Sequence, residues 1–280
     1  MKTIASPREI QTYCKLALSE GKTIGLVPTM GAFHEGHLSL MRGARADNDL
    51  VVTSIFVNPT QFGPREDFDA YPRDLESDSK LASEVGVDVI FAPSVKDMYP
   101  YGYATFVSVE RITEKMCGAS RPGHFRGVAT IVSKLFNIIQ PHRAYFGQKD
   151  AQQCVVIKRM TEDLNFDIEI VVMPTVREKD GLAMSSRNKY LNAQERQSAL
   201  VLSKSLFMSQ DLIKSGQTNA IEVLQKIKQI IEAEPLARID YVSIVDGETL
   251  EDVEEMKENT LIALAVYIGK TRLIDNVVII

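Results

Sequence analysis

The chain has 280 residues, 45% of them hydrophobic and 25% charged, and its 32 Lys and Arg against 37 Asp and Glu leave a formal net charge of -5. That balance offers no basic footprint for nucleic acid or an anionic membrane as the main partner. No apolar run approaches the roughly 20 residues of a spanning helix, and Met1-Lys2-Thr3-Ile4-Ala5-Ser6-Pro7 lacks the apolar stretch of a signal peptide, so a soluble cytoplasmic protein is expected. Cys14, Cys117 and Cys154 are odd in number and widely spaced, which fits buried free thiols and no disulfide framework.

In chain order, Ser6-Pro7 followed by Ile10, Tyr13, Leu16, Ala17 and then Gly21 predicts a capped helix. Thr23-Ile24-Gly25-Leu26-Val27 reads as a buried strand, and apolar residues return at helical spacing from Leu38, giving a helix from about 37 to 48. Between them, Pro28 to His37 forms a strand-to-helix turn. Gly31 and Gly36 permit close backbone approach, and free N–H groups at the helix start, with its positive dipole end, make a place for phosphate. His34 and His37, three residues apart, fall on one side of the first turn, where both can donate to that anion. A zinc-protease reading fails on spacing, because the second histidine would be needed where Leu38 stands.

Leu50 to Val57 is a second, nearly all-apolar strand of the kind covered on both faces. The loop Asn58-Pro59-Thr60-Gln61-Phe62-Gly63-Pro64 leaves its carboxyl end, where open parallel sheets hold ligands, so Asn58 and Gln61 are candidate contacts. A helix at about 73 to 85, a strand at 88 to 92 and a strand Thr105-Phe106-Val107-Ser108-Val109 outside the alternation follow. The polar loop Arg121 to Gly127 leads into an apolar helix at about 125 to 139; Arg143 to Gly147 is a strand, Gln148 to Gln153 opens a helix, and Asp167 to Met173 is a strand. Such alternation predicts a doubly wound parallel sheet with right-handed crossovers. Beyond Pro174 the chain is polar and turn-rich. Two helical patterns, about 193 to 214 and 218 to 233, and strands at about 239 to 245, 260 to 268 and 273 to 279 then predict a small α+β domain with an antiparallel sheet, the boundary lying near 175.

Standard nucleotide motifs do not fit. Gly21-Lys22-Thr23 and Gly269-Lys270-Thr271 each end like a phosphate loop, but Leu16 and Leu264 occupy the leading glycine positions, and no glycine triplet matches the dinucleotide fingerprint. What remains is the turn Pro28 to His37 and the loop Met184-Ser185-Ser186-Arg187, with Lys149 between them, closing over a triphosphate from opposite sides.

His34-Glu35-Gly36-His37 resembles the His-x-Gly-His signature of the nucleotidyl-transferring superfamily that includes class I aminoacyl-tRNA synthetases. Within it, Pro28 to Ala32, Ser54 to Phe62, Tyr71-Pro72-Arg73, Arg121 to Phe125, Gly147 to Asp150 and Ser185 to Asn188 resemble, in order, the motifs of the pantothenate synthetase family. Phe33 stands where leucine is common in that family, and Gln148 where glutamate is also seen. The resemblance implies a Rossmann-like domain over 1–175 that binds ATP and pantoate, and a smaller domain over 176–280 that closes over the ATP site. It implies a ligase that makes pantoyl adenylate and pyrophosphate from ATP and pantoate, then lets beta-alanine displace AMP. His37 is the implied catalytic residue, with His34 and Lys149. ATP would meet Met30, Gly31, Ala32, Phe33, His34, Glu35, Gly36 and His37, then Gly147, Gln148, Lys149 and Asp150, then Val176, and Met184, Ser185, Ser186 and Arg187. Pantoate and then beta-alanine would lie by Gln61, with Gln153 gripping pantoate and Asn58 nearby; Met30, Val128, Val132 and Phe146 would hold the geminal methyls, and Tyr71 and Arg121 would border the phosphate or amine side. Mg²⁺ is expected to accompany ATP with few protein ligands. A homodimer is implied, and neither nucleic acid nor membrane is an expected partner. Two rivals stay open: a nucleotidyl transferase acting on a phosphate, which leaves Asn58 to Phe62 and Gln153 without a purpose, and a non-catalytic ATP sensor, which would release no pyrophosphate.

Overall fold

The computed structural model describes residues 1–64 and 66–279. Six short strands, β1 (Lys2–Ile4), β2 (Ile24–Thr29), β3 (Leu50–Ile55), β4 (Val89–Phe91), β5 (Arg143–Gly147) and β6 (Glu169–Met173), form one parallel sheet in the order β1-β4-β3-β2-β5-β6. Helices α1 (Pro7–Ser19), α2 (Glu35–Asp47), α3 (Leu75–Glu84), α4 (Val95–Met98), α5 (Met116–Ser120), α6 (His124–Ile139) and α7 (Ala151–Asp163) lie in the connections. The strands are apolar along their length because both sheet faces are covered: Leu26, Val52 and Phe91 face one core with α1 and α6, while Val27, Val51, Ile90 and Tyr145 face another with α2.

Strand order reverses between β2 and β5. There β2 pairs with β3 over six residues but with β5 only at Gly25↔Arg143 and Leu26↔Ala144, so the carboxyl ends of β2 and β5 part and open a crevice. Behind it stands α6, whose Val128, Ile131, Val132 and Leu135 are buried.

The doubly wound parallel sheet agrees with the sequence expectation, with local differences. Thr105 to Val109 is not a strand: among the described residues no strand pairs with it, and it runs as a strap over α6, where Val107 donates its amide to Thr130 Oγ1 at 3.0 Å. The edge beside β4 is taken instead by Lys2-Thr3-Ile4, a strand too short to show a period. Helix α2 begins at Glu35, two residues earlier than the periodicity suggests, because His34 caps it. The 193 to 214 pattern is two helices, α8 (Ala193–Ser198) and α9 (Leu200–Lys214), meeting at Ala199.

With α10 (Ala220–Glu232), α9 covers a separate antiparallel sheet in the order β7-β8-β9, made of β7 (Ala237–Asp246), β8 (Thr260–Ile268) and β9 (Thr271–Val278). Its core is its own, with Leu202, Leu206, Val223, Ile227, Ile231, Leu264 and Val266 at the centre. All three cysteines are buried and free, and burial pushes the Cys14 and Cys154 thiols up to about 12. Among the described residues no helix is long and apolar enough to cross a membrane.

Candidate active site

The turn after β2 is set by a buried carboxylate. Gly31 and Ala32 take positive φ values of 86° and 55°, and the amides of Ala32 and Phe33 both donate to Asp78 of α3 at 2.8 Å. A side chain at Gly31 would be strained by its φ and would meet Asp78 Oδ2 at 2.8 Å. Burial pushes the Asp78 carboxyl up, and the two amides work against that.

His34 then caps α2. Its Nδ1 accepts from the Gly36 amide at 3.2 Å, while His37 Nδ1 accepts from the His34 amide at 3.3 Å, an imidazole version of the reciprocal capping box. Both rings therefore carry the proton of their neutral form on Nε2. The ring centroids are 4.2 Å apart. A Cβ on Gly36 would sit 2.9 Å from His34 Cε1 and Nδ1, which explains the glycine between the two histidines. Burial, and then the charge of Lys149, lower His34 to about 4; burial, then His34 and Lys149, hold His37 well below its ordinary value. At neutral pH the pair presents two uncharged N–H donors.

Lys149 enters from the turn Gln148–Asp150 after β5, with Nζ 3.5 Å from Asp150 Oδ2. The two histidines and Lys149 line one cavity of about 230 Å³ at the strand-order reversal, together with Met30, Gly36, Gln61, Tyr71, Val128, Val132, Phe146, Gly147, Asp150, Gln153, Val176 and Met184 to Arg187. A second cavity of about 910 Å³ shares Arg121, His124, Lys149, Asp150, Gln153, Ser185 and Arg187 with it and extends toward β9.

Several expectations change in detail. Backbone N–H groups at the start of α2 are not free for phosphate: Gly36, His37 and Leu38 donate to the His34 ring or carbonyl, and Ala32 and Phe33 to Asp78. Donors from this turn are ring N–H groups instead. Gly31, Ala32, Phe33, Glu35 and Gln148 do not line the cavity; Glu35 pairs with Arg42 on the surface, and Gln148 binds Asn276. Asn58 lines the cavity but is fully buried with its polar atoms engaged. Its Nδ2 donates to Gln61 Oε1 at 3.0 Å and to Gly127 O at 3.1 Å, and its Oδ1 accepts from Thr60 and Tyr99, so it orients Gln61. Arg187 reaches the cavity with its guanidinium forked on Asp67, and Ser186 Oγ donates to Ala32 O, tying the 185–187 loop to the β2 turn.

Other residues were not singled out in the sequence. Glu66 grips Arg121 at 2.7 and 2.6 Å; His124 Nδ1 donates to the Gln61 carbonyl at 2.8 Å, and its Nε2 accepts from Arg121 at 3.0 Å. Asp78 had a legible signal, since it takes the first place of the stripe 78, 81, 82, 85 that is otherwise apolar. Glu66 and Asp67 sit in a loop without period and had none.

Burial, then the Arg121 charge, lower His124 to about 4 as well. A histidine near 6.5 in the unfolded chain and near 4 in the folded one adds no linked cost above 6.5; as pH falls from 6.5 toward 4 only the unfolded chain takes the proton, and stability drops. His34 and His124 should each cost about 2 kcal/mol by pH 5, partly offset by the raised Asp78 and Asp275 carboxyls. Urea unfolding at pH 7 and pH 5 tests this. Equal stability at the two values would mean that the rings protonate freely in place.

A family model described as pantoate-beta-alanine ligase matches residues 2–278. Pantothenate synthetases of Acetivibrio thermocellus and Moorella thermoacetica are 60% and 61% identical over 279 residues, covering 100% of this chain and 99% and 98% of theirs. Among solved structures, pantothenate synthetase from Thermus thermophilus superposes with a TM-score of 0.94 at 46% identity over 99% of each chain. Pantoate-beta-alanine ligase from Francisella tularensis, complexed with beta-gamma ATP and beta-alanine, superposes with a TM-score of 0.82 at 37% identity, over 99% of this chain and 97% of that one. With the match running through both sheets and every segment of the cleft, the chain belongs to the pantoate-beta-alanine ligase family, the pantothenate synthetases.

Proposed function

We propose that ATP-dependent condensation of pantoate with beta-alanine, the reaction of this family, takes place in the cleft where β2 and β5 part. The observation that carries the assignment is the pair of neutral imidazoles, fixed as Nε2–H donors by reciprocal capping, beside Lys149. A pantoate carboxylate oxygen attacks the alpha-phosphorus, the bond to the bridging oxygen breaks, and pyrophosphate leaves with the electron pair. Negative charge grows on the phosphate oxygens and the leaving group, which fixed donors and one ammonium stabilise without reorganising. His34 and His37 then act as hydrogen-bond donors to phosphate. Beta-alanine next attacks the acyl carbon of pantoyl adenylate, the carbon–oxygen bond breaks, AMP leaves, and the amine loses a proton.

Gln61 and Gln153 supply uncharged donors and acceptors for pantoate, and Val128, Val132 and Phe146 an apolar wall for its methyls. Mg²⁺ arrives with ATP. Asp150, the carboxylate beside Lys149, would help to hold the ion that ATP brings with it. When bound, it adds positive charge at the phosphates.

Exchange of labelled pyrophosphate into ATP, with Mg²⁺ and pantoate and without beta-alanine, tests the first step. Pantoate-dependent exchange is expected. The absence of both exchange and AMP formation once beta-alanine is added, with ATP still bound, would sink the reading. Residues 1–175 and 176–280 act in it as two domains, and the 184–187 loop closes over ATP; limited proteolysis of the same samples should show that loop protected by MgATP, and unchanged cleavage would count against closure. The reading includes a cytoplasmic homodimer, for which sedimentation should give twice the chain mass.

A further inference from the structure

The Gln148–Asp150 turn that carries Lys149 lacks the usual local support. Neither it nor the start of α7 has a side-chain cap of its own. Its carbonyls are held instead by a side chain from far along the chain. Asn276 of β9, in the antiparallel sheet, donates its Nδ2 hydrogens to the Gln148 and Lys149 carbonyls, each at 2.9 Å, and its Oδ1 accepts from Gln148 Nε2 at 3.0 Å. Every polar atom of that amide is spent on this one turn, at a position 4% exposed.

Asn276 is itself held. Its backbone amide donates to Asp275 Oδ1 at 2.8 Å, and Asp275, 2% exposed inside β9, takes both arms of Arg177 at 2.6 and 2.9 Å. Arg177 follows β6 and also donates to the Gly181 carbonyl, at the base of the segment leading to the 184–187 loop. A buried carboxylate that must stay charged beside a bidentate guanidinium costs desolvation, and such a pair gives fixed geometry more than stability.

We propose that Asn276 is a positioning residue for adenylation: with Asp275 and Arg177 behind it, it fixes the backbone of Lys149, so that the antiparallel sheet sets where the ammonium meets the phosphates. The inference rests on the role assigned to Lys149 above and extends it to a side chain that does not line the 230 Å³ cavity. A displacement of about 1 Å at a reacting group can cost on the order of 100-fold in rate. An amide that clamps two carbonyls can hold a lysine to that tolerance; the four-carbon stem alone cannot.

The test is a double-mutant cycle on pantoate-dependent pyrophosphate exchange with Asn276→Ala, Lys149→Ala and the pair. Asn276→Ala alone should lower kcat about 10- to 100-fold with the pantoate KM within about twofold. On top of Lys149→Ala it should cost less than about threefold, because there is no longer an ammonium to misplace. If Asn276→Ala does not fold, Asn276→Ser, which keeps one donor, takes its place with a smaller loss of the same pattern. An equal loss in both backgrounds would make Asn276 a structural residue and overturn the proposal, as would an unchanged kcat in a folded variant. Undiminished exchange in Lys149→Ala alone would overturn the role of Lys149 itself, which separates that failure from this one.

Discussion

Replacing Lys149 with alanine is expected to lower pantoate-dependent pyrophosphate exchange about 100- to 1000-fold, the range found when one preorganised donor is removed from a developing anion. Among the described residues, the turn amides and the Arg187 side chain, which could otherwise stand in, are already engaged. The amides at the start of α2 are spent on the His34 ring, the His34 carbonyl and Asp78, and the Arg187 guanidinium is forked on Asp67. The two imidazoles remain, but as neutral donors. Losing Lys149 removes one of the influences that keep them neutral, while burial, the larger one for both, persists, so neither ring should become cationic in its place. The loss should fall mainly on kcat, since the charge that Lys149 meets grows toward the transition state. A rate within about threefold of the parent enzyme would remove Lys149 from the chemistry and leave the histidine pair to account for it.

How much of this was readable beforehand divides by range of interaction. Apart from β1, the strands of the parallel sheet were legible because each is an apolar run, and the longer helices because each is periodic, signals complete within about ten residues. The histidine turn was legible for the same reason, its glycines and histidines being neighbours. Its mechanism was not. Whether α2 offers free amides depends on Asp78, about 40 residues on, and on imidazoles folding back as caps, and no local pattern decides that. Asn58 shows the same limit: next to Gln61 in sequence it reads as another ligand, yet Tyr99 and Gly127, brought in by the fold, occupy its amide. Asp275 and Asn276 interrupt the apolar run Leu273 to Ile279 and so were visible as an anomaly, but their partners at 148, 149 and 177 were not. Thr105 to Val109 misled in the opposite sense. It has strand composition, and what it lacks is a neighbour with an open edge.

Gly127→Ala is the second large effect expected, and it lies away from the reacting atoms. Alanine should favour the helix by about 1 kcal/mol over glycine at an exposed position. Here the new Cβ would run into the Thr60 carbonyl oxygen and lie 2.6 Å from the Gln61 amide nitrogen, backbone atoms that cannot rotate aside. The contact must open, and α6 and the Asn58 to Gln61 turn separate. Overpacking of this kind costs about 1 to 3 kcal/mol, which outweighs the helix gain. The same movement stretches Asn58 Nδ2 from the Gly127 carbonyl and shifts the amide that orients Gln61. Pantoate should therefore bind at least about tenfold more weakly, with KM rising and the ATP dependence little changed, since His34, His37 and Lys149 stand on other elements. Thermal unfolding and the pantoate KM of the one variant check both halves. If the midpoint falls while KM stays put, α6 yields without carrying the turn, and Gln61 holds its place by means other than Asn58.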